Sequence, residues 1–304
     1  MLHLDRILFA TDGSECAEHA RRHAFHLADH FDAVVHVTQV EEREVELTDT
    51  IDIHESDILA DLHASHAEET TLAVEPRVRE QKVVHPSAAG GILQYAVEHD
   101  VHLVVIGTHG RRGIRRAVLG SVSEEVVRHA PCPVMTVGRG AKPPEALRGG
   151  DLMVPVDFSE HRPRLLAHAR EMALMYGMAV TLLHAVELAG VPDVYGLSSG
   201  MPKPVELTNR TRTMLETEAS DLRAHDLEVS VEVRCGHPAE EVIDATDELD
   251  VDFLTIATHG RTGLDRVLMG SVAEKVIRRA PCPVLTVKSF GSSLVSEEKE
   301  STGS

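Results

Sequence analysis

Lysine is scarce in this chain, with only Lys82, Lys142, Lys203, Lys275, Lys288 and Lys299, and aromatic residues make up 3% of its 304 positions. Acidic side chains number 49 against 30 basic ones, for a formal net charge of -19. Nucleic-acid binding rests on Lys and Arg neutralising phosphates, so this balance argues against it. The acidic, lysine-poor composition is compatible with adaptation to salt. A continuous apolar run of about 18 residues, long enough to span a bilayer, is also lacking. The start, MLHLDRILFATDGS, reaches an acidic residue at once and has no signal-peptide layout. A soluble, cytoplasmic protein without membrane or nucleic-acid partners is the expectation.

Cysteine is thin as well. Cys16, Cys132, Cys235 and Cys282 lie far apart and form no CxxC pair, so neither a zinc site nor a disulfide framework is indicated. Reduced, packed thiols are expected. Gly-Lys-Ser/Thr, G-x-G-x-x-G and a nucleophile elbow are missing too, and no metal-ligand set stands at a recognisable spacing. No catalytic constellation emerges.

What the chain does have is a repeat. GTHGRRGIRRAVLGSVSEEVVRHAPCPVMTV begins at Gly107 and ATHGRTGLDRVLMGSVAEKVIRRAPCPVLTV at Ala257. The offset is 150 residues from Gly110 to Gly260, from Gly120 to Gly270 and from Pro131 to Pro281. One domain is written twice. The predicted boundaries are 1–140 and 151–290, with a Gly- and Pro-rich linker at 141–150 and a disordered tail at 291–304.

Each half alternates strand and helix signals. Leu4–Ala10 and Asp151–Val156 open the halves as strands, followed by helical stretches Glu15–Phe31 and Glu160–Tyr176. Next come strands Ala33–Val40 and Ala179–Val186, helices Glu55–Thr71 and Val205–Ala224, and strands Ala73–Arg79 and Glu228–Arg234. Helices Pro86–Glu98 and Pro238–Glu248 lead to the apolar strands Val101–Gly107 and Val251–Ala257. The order predicts an α/β protein with two tandem, open-twisted, mostly parallel five-stranded sheets covered by helices on both faces. The final APCPV strand is expected to pair at an edge, between the halves or between chains. Ligands of such sheets sit beyond the carboxyl ends of the strands, where Asp12 with Gly107, and Asp157 with Ala257, fall.

The spacing Gly107-x2-Gly110-x9-Gly120-Ser121, with an aspartate after strand one and a terminal APCPV strand, resembles the universal stress protein family in its tandem form. The resemblance covers nearly the whole chain and implies a Rossmann-like fold of the adenine nucleotide alpha hydrolase type. It further implies ATP as ligand, with Asp12 at the ribose and placed to help hold Mg2+, and the backbone of Val40 at the adenine edge. Ile106 and Gly107 would form the floor, while Gly110, Gly120, Ser121 and Val122 would hold the phosphates. The matching second-half positions are Asp157, Val186, Ile256, Ala257, Gly260, Gly270, Ser271 and Val272. Physically, glycine at Gly107 and Gly110 clears room for a ligand against backbone. The helix opening at Gly120-Ser121 offers amides and a positive dipole end to an anion. Arg111, Arg112, Arg115 and Arg116 would screen its charge.

Two departures stand out. Ala257 replaces the first glycine, adding a methyl where close approach is expected, and Ala10 stands where the second half has Pro155. Plainer roles compete. Ser121 with Glu124 and Ser271 with Glu274 fit capping boxes, as do Asp12 with Glu15 and Asp157 with Glu160. His19, His23, His26 and His30 share one helix side and are expected to face water rather than bind metal. His109 and His259 read as loop-shaping groups. The functional expectation is a non-catalytic ATP-binding stress-response protein whose ligand biases domain arrangement or partner choice. The domains would pair with each other, with a second chain as a homodimer, or both. Alternatives are a slow ATPase and a ligand-free interaction module.

Overall fold

A computed structural model describes residues 2–43, 77–109, 119–187, 204–258 and 269–295. The first half contains β1 (Arg6–Ala10), α1 (Glu15–Phe31), β2 (Val34–Glu42), β3 (Val78–His85), α2 (Ala88–Glu98), β4 (Leu103–Gly107), α3 (Ser121–His129) and β5 (Val134–Val137). After a 3-10 turn at Pro144–Leu147, the second half contains β6 (Asp151–Pro155), α4 (Arg162–Tyr176), β7 (Ala179–Val186), α5 (Pro204–Arg223), β8 (Val229–Cys235), α6 (Pro238–Glu248), β9 (Phe253–Ala257), α7 (Ser271–Arg279) and β10 (Val284–Val287).

The strands run β3-β2-β1-β4-β5-β10-β9-β6-β7-β8 in a single ten-stranded sheet. Within each half every pairing is parallel, and both halves share one topology. The two expected five-stranded sheets are therefore present but fused through the antiparallel pair β5–β10, Leu285 opposite Met135. Thr286 and Val134 lock that seam, the hydroxyl donating to the carbonyl at 2.8 Å. This pairing occupies the inner edge of both sheets, so the APCPV strands meet within the chain.

Central strands are buried on both faces, which explains their unbroken apolar runs (LVVIG in β4, FLTIA in β9). One face packs on α1 and α4 through Phe9, Leu27, Leu165 and Phe253. The other packs on α2, α3, α6 and α7 through Ile92, Val126, Ile243 and Val276.

Several expectations change. β3 runs over Val78–His85 rather than 73–79, because its pairs are Val35 to Glu42 of β2. The helix expected at Glu55–Thr71 lies outside the described residues. The linker makes defined contacts with the second half. Leu147 is fully buried, and Lys142 binds the carboxylates of Asp252 (2.5 Å) and Asp250 (3.4 Å) in the second half. Gly291–Val295 of the expected tail makes defined contacts, Val295 bridging to Leu2. Finally, the histidine stripe faces water only in part: His30 is exposed and His19 half-buried, but the other two turn inward. His23 is buried against the Lys142 carbonyl at 3.1 Å, and His26 stacks on Tyr176 of the second half. Buried Cys16, Cys132 and Cys282 behave as packed thiols, while Cys235 is exposed.

Candidate functional site

At the carboxyl end of β1 the chain turns through Asp12-Gly13-Ser14. The Asp12 carboxylate accepts the Ser14 N–H at 3.0 Å, and Gly13 takes φ +70°. Ser14 then makes two bonds that fix the corner. Its hydroxyl accepts the Ala17 N–H at 3.2 Å, capping α1, and donates to the His109 carbonyl at 3.2 Å in the loop after β4. Asp12 and the Gly107 cassette, far apart in sequence, are thus tied together by one side chain. The cap of α1 is Ser14, not Asp12, so the Asp12–Glu15 capping box is replaced by an Asx turn.

Beyond β4, the Gly120 N–H bonds the Thr108 carbonyl at 2.8 Å and Ser123 donates to the Gly107 carbonyl at 2.7 Å. Both pin the start of α3 to the strand end. Gly120, not Ser121, is the N-cap, in extended conformation and without a side-chain cap bond. A capping box at Ser121 is therefore corrected, and the same holds at Gly270–Ser271. Ser121 is exposed and Val122 half-buried at a helix start whose first-turn amides no side chain caps among the described residues. Such amides and the dipole end favour an anion. Gly110, Gly260, His259 and Arg111, Arg112, Arg115 and Arg116 lie outside the described residues.

The role of Gly107 also changes. A Cβ there would stand 2.8 Å from the Cys16 carbonyl carbon and 3.0 Å from the Ala17 nitrogen, both in the first turn of α1. Packing of α1 by itself already demands the glycine. Ala257, its counterpart, packs against the core beneath α4. There the helix starts at Arg162, in register with Ala17, rather than at Glu160 as expected. Ile106 and Ile256 point to the opposite face and are buried under α2–α3 and α6–α7.

Strand register fixes which way the backbone faces at the positions expected to meet adenine. In β2, Val34 N–H points to Asp5 beside β1 and Val35 N–H to Arg77 beside β3, both at 2.8 Å. Even-numbered residues therefore turn their backbone toward β1, and Thr38 accepts the Thr11 N–H at 3.0 Å. The last pair of that ladder is Ala10–Thr38, so Val40 turns its N–H and C=O into the space past the end of β1. In β7 the matching edge belongs to odd-numbered residues, Leu183 accepting the Val156 N–H at 2.8 Å. Val186 faces the other way and accepts the Gly236 N–H at 3.1 Å. The counterpart of Val40 is Ala185, and Val186 is corrected. A one-residue slip in a strand exchanges both faces and both edges. The signal was available, because Asp12 and Asp157 are offset by 145 residues and Val40 with the same offset gives Ala185.

The second corner repeats the first with altered parts. Asp157 accepts the Ser159 N–H at 3.0 Å, and Phe158 occupies the left-handed position of Gly13 with φ 57°. Gly270 N–H bonds the Thr258 carbonyl at 2.8 Å. Yet α4 is capped at His161 without a side-chain bond, and the Ser159 hydroxyl is buried with no partner among the described residues. Ser14, Thr108 and Ser123, which are not among the residues expected at the ligand, build the first corner. Their signal was only that small hydroxyl residues flank each turn. His109 is held through Nδ1 to the Thr108 hydroxyl at 2.9 Å, and burial, then Arg139, lowers its pKa.

A metal fits poorly elsewhere. Among the described residues, His3, Asp5 and His102 bring ligand atoms within 4.8 Å at the amino end of the sheet. Both nitrogens of His102 already face donors, the Asp5 N–H at 3.1 Å and Arg6 at 3.0 Å. A neutral imidazole has a single lone pair to offer, so none is left for an ion.

Comparison with known proteins agrees with this architecture. A universal stress protein of Mycobacterium tuberculosis is 28% identical over 193 residues, 63% of this chain and 63% of that protein. The chain thus spans less than two thirds of that relative's length. One from Methanocaldococcus jannaschii is 29% identical over 151 residues, 45% of this chain and 93% of that protein. The crystal structure of a universal stress protein from Archaeoglobus fulgidus superposes with a TM-score of 0.62 at 21% identity, covering 93% of this chain and 96% of that one, a likeness of fold. The model of the universal stress protein family matches residues 3–138 and again 150–288, and the chain belongs to that family.

Proposed function

We propose that this protein is a non-catalytic, ATP-binding stress-response protein of the cytoplasm, with one nucleotide site at each corner. The observation that carries the reading is the start of α3. A helix N-terminus that no side chain caps among the described residues stands beside the Asp12 turn, and Ser14 ties that turn to the loop after β4. Phosphate would sit on the amides of Ser121 and Val122, and Asp12 would face ribose and help hold Mg2+. The backbone of Val40 would read the adenine edge, and Ala185 would do so in the second half. The binding reading is favoured over turnover because Asp12, Ser14 and Thr108 are already spent on bonds that build the corner. Ala257 is partly buried and packs against the core shared with α4, which supports a second site despite its methyl.

Domain pairing is met inside the chain by β5–β10, so bound nucleotide would act on the arrangement of the two halves. Freshly purified protein, denatured and analysed by mass spectrometry, should release adenine nucleotide. Release of nothing, together with no thermal shift at millimolar ATP, would sink the reading.

A further inference from the structure

The segment after β10 crosses from one half to the other. Ser292 N–H donates to the Pro131 carbonyl of the first half at 2.9 Å. Arg164 of α4 donates to the carbonyls of Gly291 (3.0 Å) and Ser292 (2.6 Å). Leu294 accepts the His3 N–H at 2.6 Å, and Leu2 in turn donates to Glu171 of α4 at 3.1 Å. Leu294 and Val295 are buried. This is a strap across the seam, fastened to both halves.

One fastening is chemically distinct. His168 Nε2 accepts the Leu294 N–H at 3.1 Å, while its Nδ1 meets the Arg164 carbonyl at 2.8 Å. A carbonyl can only accept, so Nδ1 carries the proton and Nε2 offers the lone pair. The ring is held as one neutral tautomer. A second proton would have to go on Nε2 and would set N–H against N–H.

We propose that Gly291–Val295 is a strap that protonation of His168 releases, parting the tail from α4 and from the N-terminal segment. Burial holds this imidazole down to about 4, which fits a closed strap that excludes the proton. The charged groups facing the ring are Arg164 and Glu171 of its own helix. The strap residues, β9 and β10 bring no ionisable side chain, and β6 brings only the exposed Asp151. In the N-terminal segment His3 and Asp5 pair with each other at 3.4 Å on the exposed side. On α5, Glu218 is paired with Arg162 at 3.0 Å. Release stops at Lys288, whose ammonium donates to the carbonyls of Val127 and Arg128.

The linker contact at His23 differs in kind. There Nε2 meets a carbonyl, that of Lys142, so the ring already donates and a second proton leaves that bond in place. Local release of a bonded segment by acid is therefore expected at the tail strap and not at the linker.

Amide exchange, expressed as protection factors to remove the intrinsic pH dependence, tests this on the full chain. Protection at Leu294 and Val295 should fall at a rate approaching about tenfold per pH unit between the free imidazole value and about 4, or about 40-fold from pH 6.5 to 4.5. His168→Gln keeps an acceptor that does not titrate and should hold protection flat. Leu294→Pro removes the N–H, and Val295 should then be weakly protected at pH 7 with no further pH response. Flat protection in the unaltered protein, or the same fall in His168→Gln, overturns the proposal. If His168→Gln does not fold, a steep acid response of Val295 in Leu294→Pro overturns it equally.

Discussion

The two halves share strand order, cassette and helix start, yet they reach the first helix by different means. In the first, Ser14 caps α1 and binds across to His109, and the helix begins so early that Gly107 must lack a side chain. In the second, the helix begins at Arg162 with Pro163 in its first turn, no side chain caps it among the described residues, and Ala257 is tolerated. The geometry of the helix start in the cassette is nearly unchanged, with Gly120 bonding Thr108 and Gly270 bonding Thr258 at the same 2.8 Å. Divergence has therefore touched the corner that receives the strand-one turn and spared the helix start. Glycine in the cassette is a record of two demands, one from helix packing and one from the helix cap.

The largest effect should come from blocking one helix start and leaving the other. Gly120→Val puts a branched side chain 3.3 Å from the Thr108 carbonyl and over the first-turn amides. Nucleotide affinity of the first half is expected to fall by at least about 100-fold, roughly 2.7 kcal/mol. Gly270→Val should do the same to the second half alone. Calorimetric titration of both variants decides it, and loss of both sites from either substitution would break the equivalence of the corners.

Next comes the glycine–alanine exchange. Gly107→Ala forces a methyl against the α1 backbone and should cost about 1–3 kcal/mol, the usual range for overpacking. Ala257→Gly removes a partly buried methyl and frees the unfolded chain, a loss of about 1 kcal/mol. Urea melts measure both. Ala257→Gly should leave second-site nucleotide affinity unchanged. A gain would restore the methyl as a ligand obstacle.

Acid should also separate the halves. Burial lowers His23 and His36 in the first half, and His168 in the second, each to about 4. The folded value lies below the unfolded value of 6.5, so the unfolded chain binds more protons between them. Stability is then full above pH 6.5 and declines as pH falls toward 4. His23 and His168, the more deeply buried, each account for roughly 3 kcal/mol over that range. With two such rings, the first half is expected to lose amide protection before the core of the second. Earlier opening of the second core at pH 5 would reverse that order.

Much of this was readable from the chain. The repeat, the spacing from Gly107 to Gly120 and the alternation of strand and helix specify the topology, because glycine, periodicity and offset are local signals. What escaped depended on partners distant in sequence. Val186 was misplaced by one because register is set by pairing with β6 and β8, not by the strand itself. β3 was placed too early because its pairing with β2, not its own composition, sets its ends. Ser121 read as a cap because its sequence suits one, while the bond from Gly120 to Thr108 starts the helix a residue sooner. The order of the tail follows from Pro131, His168 and Leu2, none of which its own sequence announces.

The smallest effect is also the sharpest test of how the corners differ. Ser14→Ala removes a cap and the bond to His109, and a cost of about 1–2 kcal/mol is expected from the cap with its added contact. Ser159 occupies the matching position, but its hydroxyl is buried without a partner among the described residues, while its backbone N–H does the work on Asp157. Taking away a buried hydroxyl that makes no bond removes a desolvation penalty and little else, so Ser159→Ala should be neutral or stabilising by up to about 1 kcal/mol. Thermal melts of the two alanine variants give the comparison directly. Equal destabilisation would mean that Ser159 has a cap like that of Ser14, and that the corners differ less than their hydrogen bonds indicate. A stabilised Ser159→Ala beside a destabilised Ser14→Ala would show that only the first half retains the side-chain clamp, although both retain the aspartate turn.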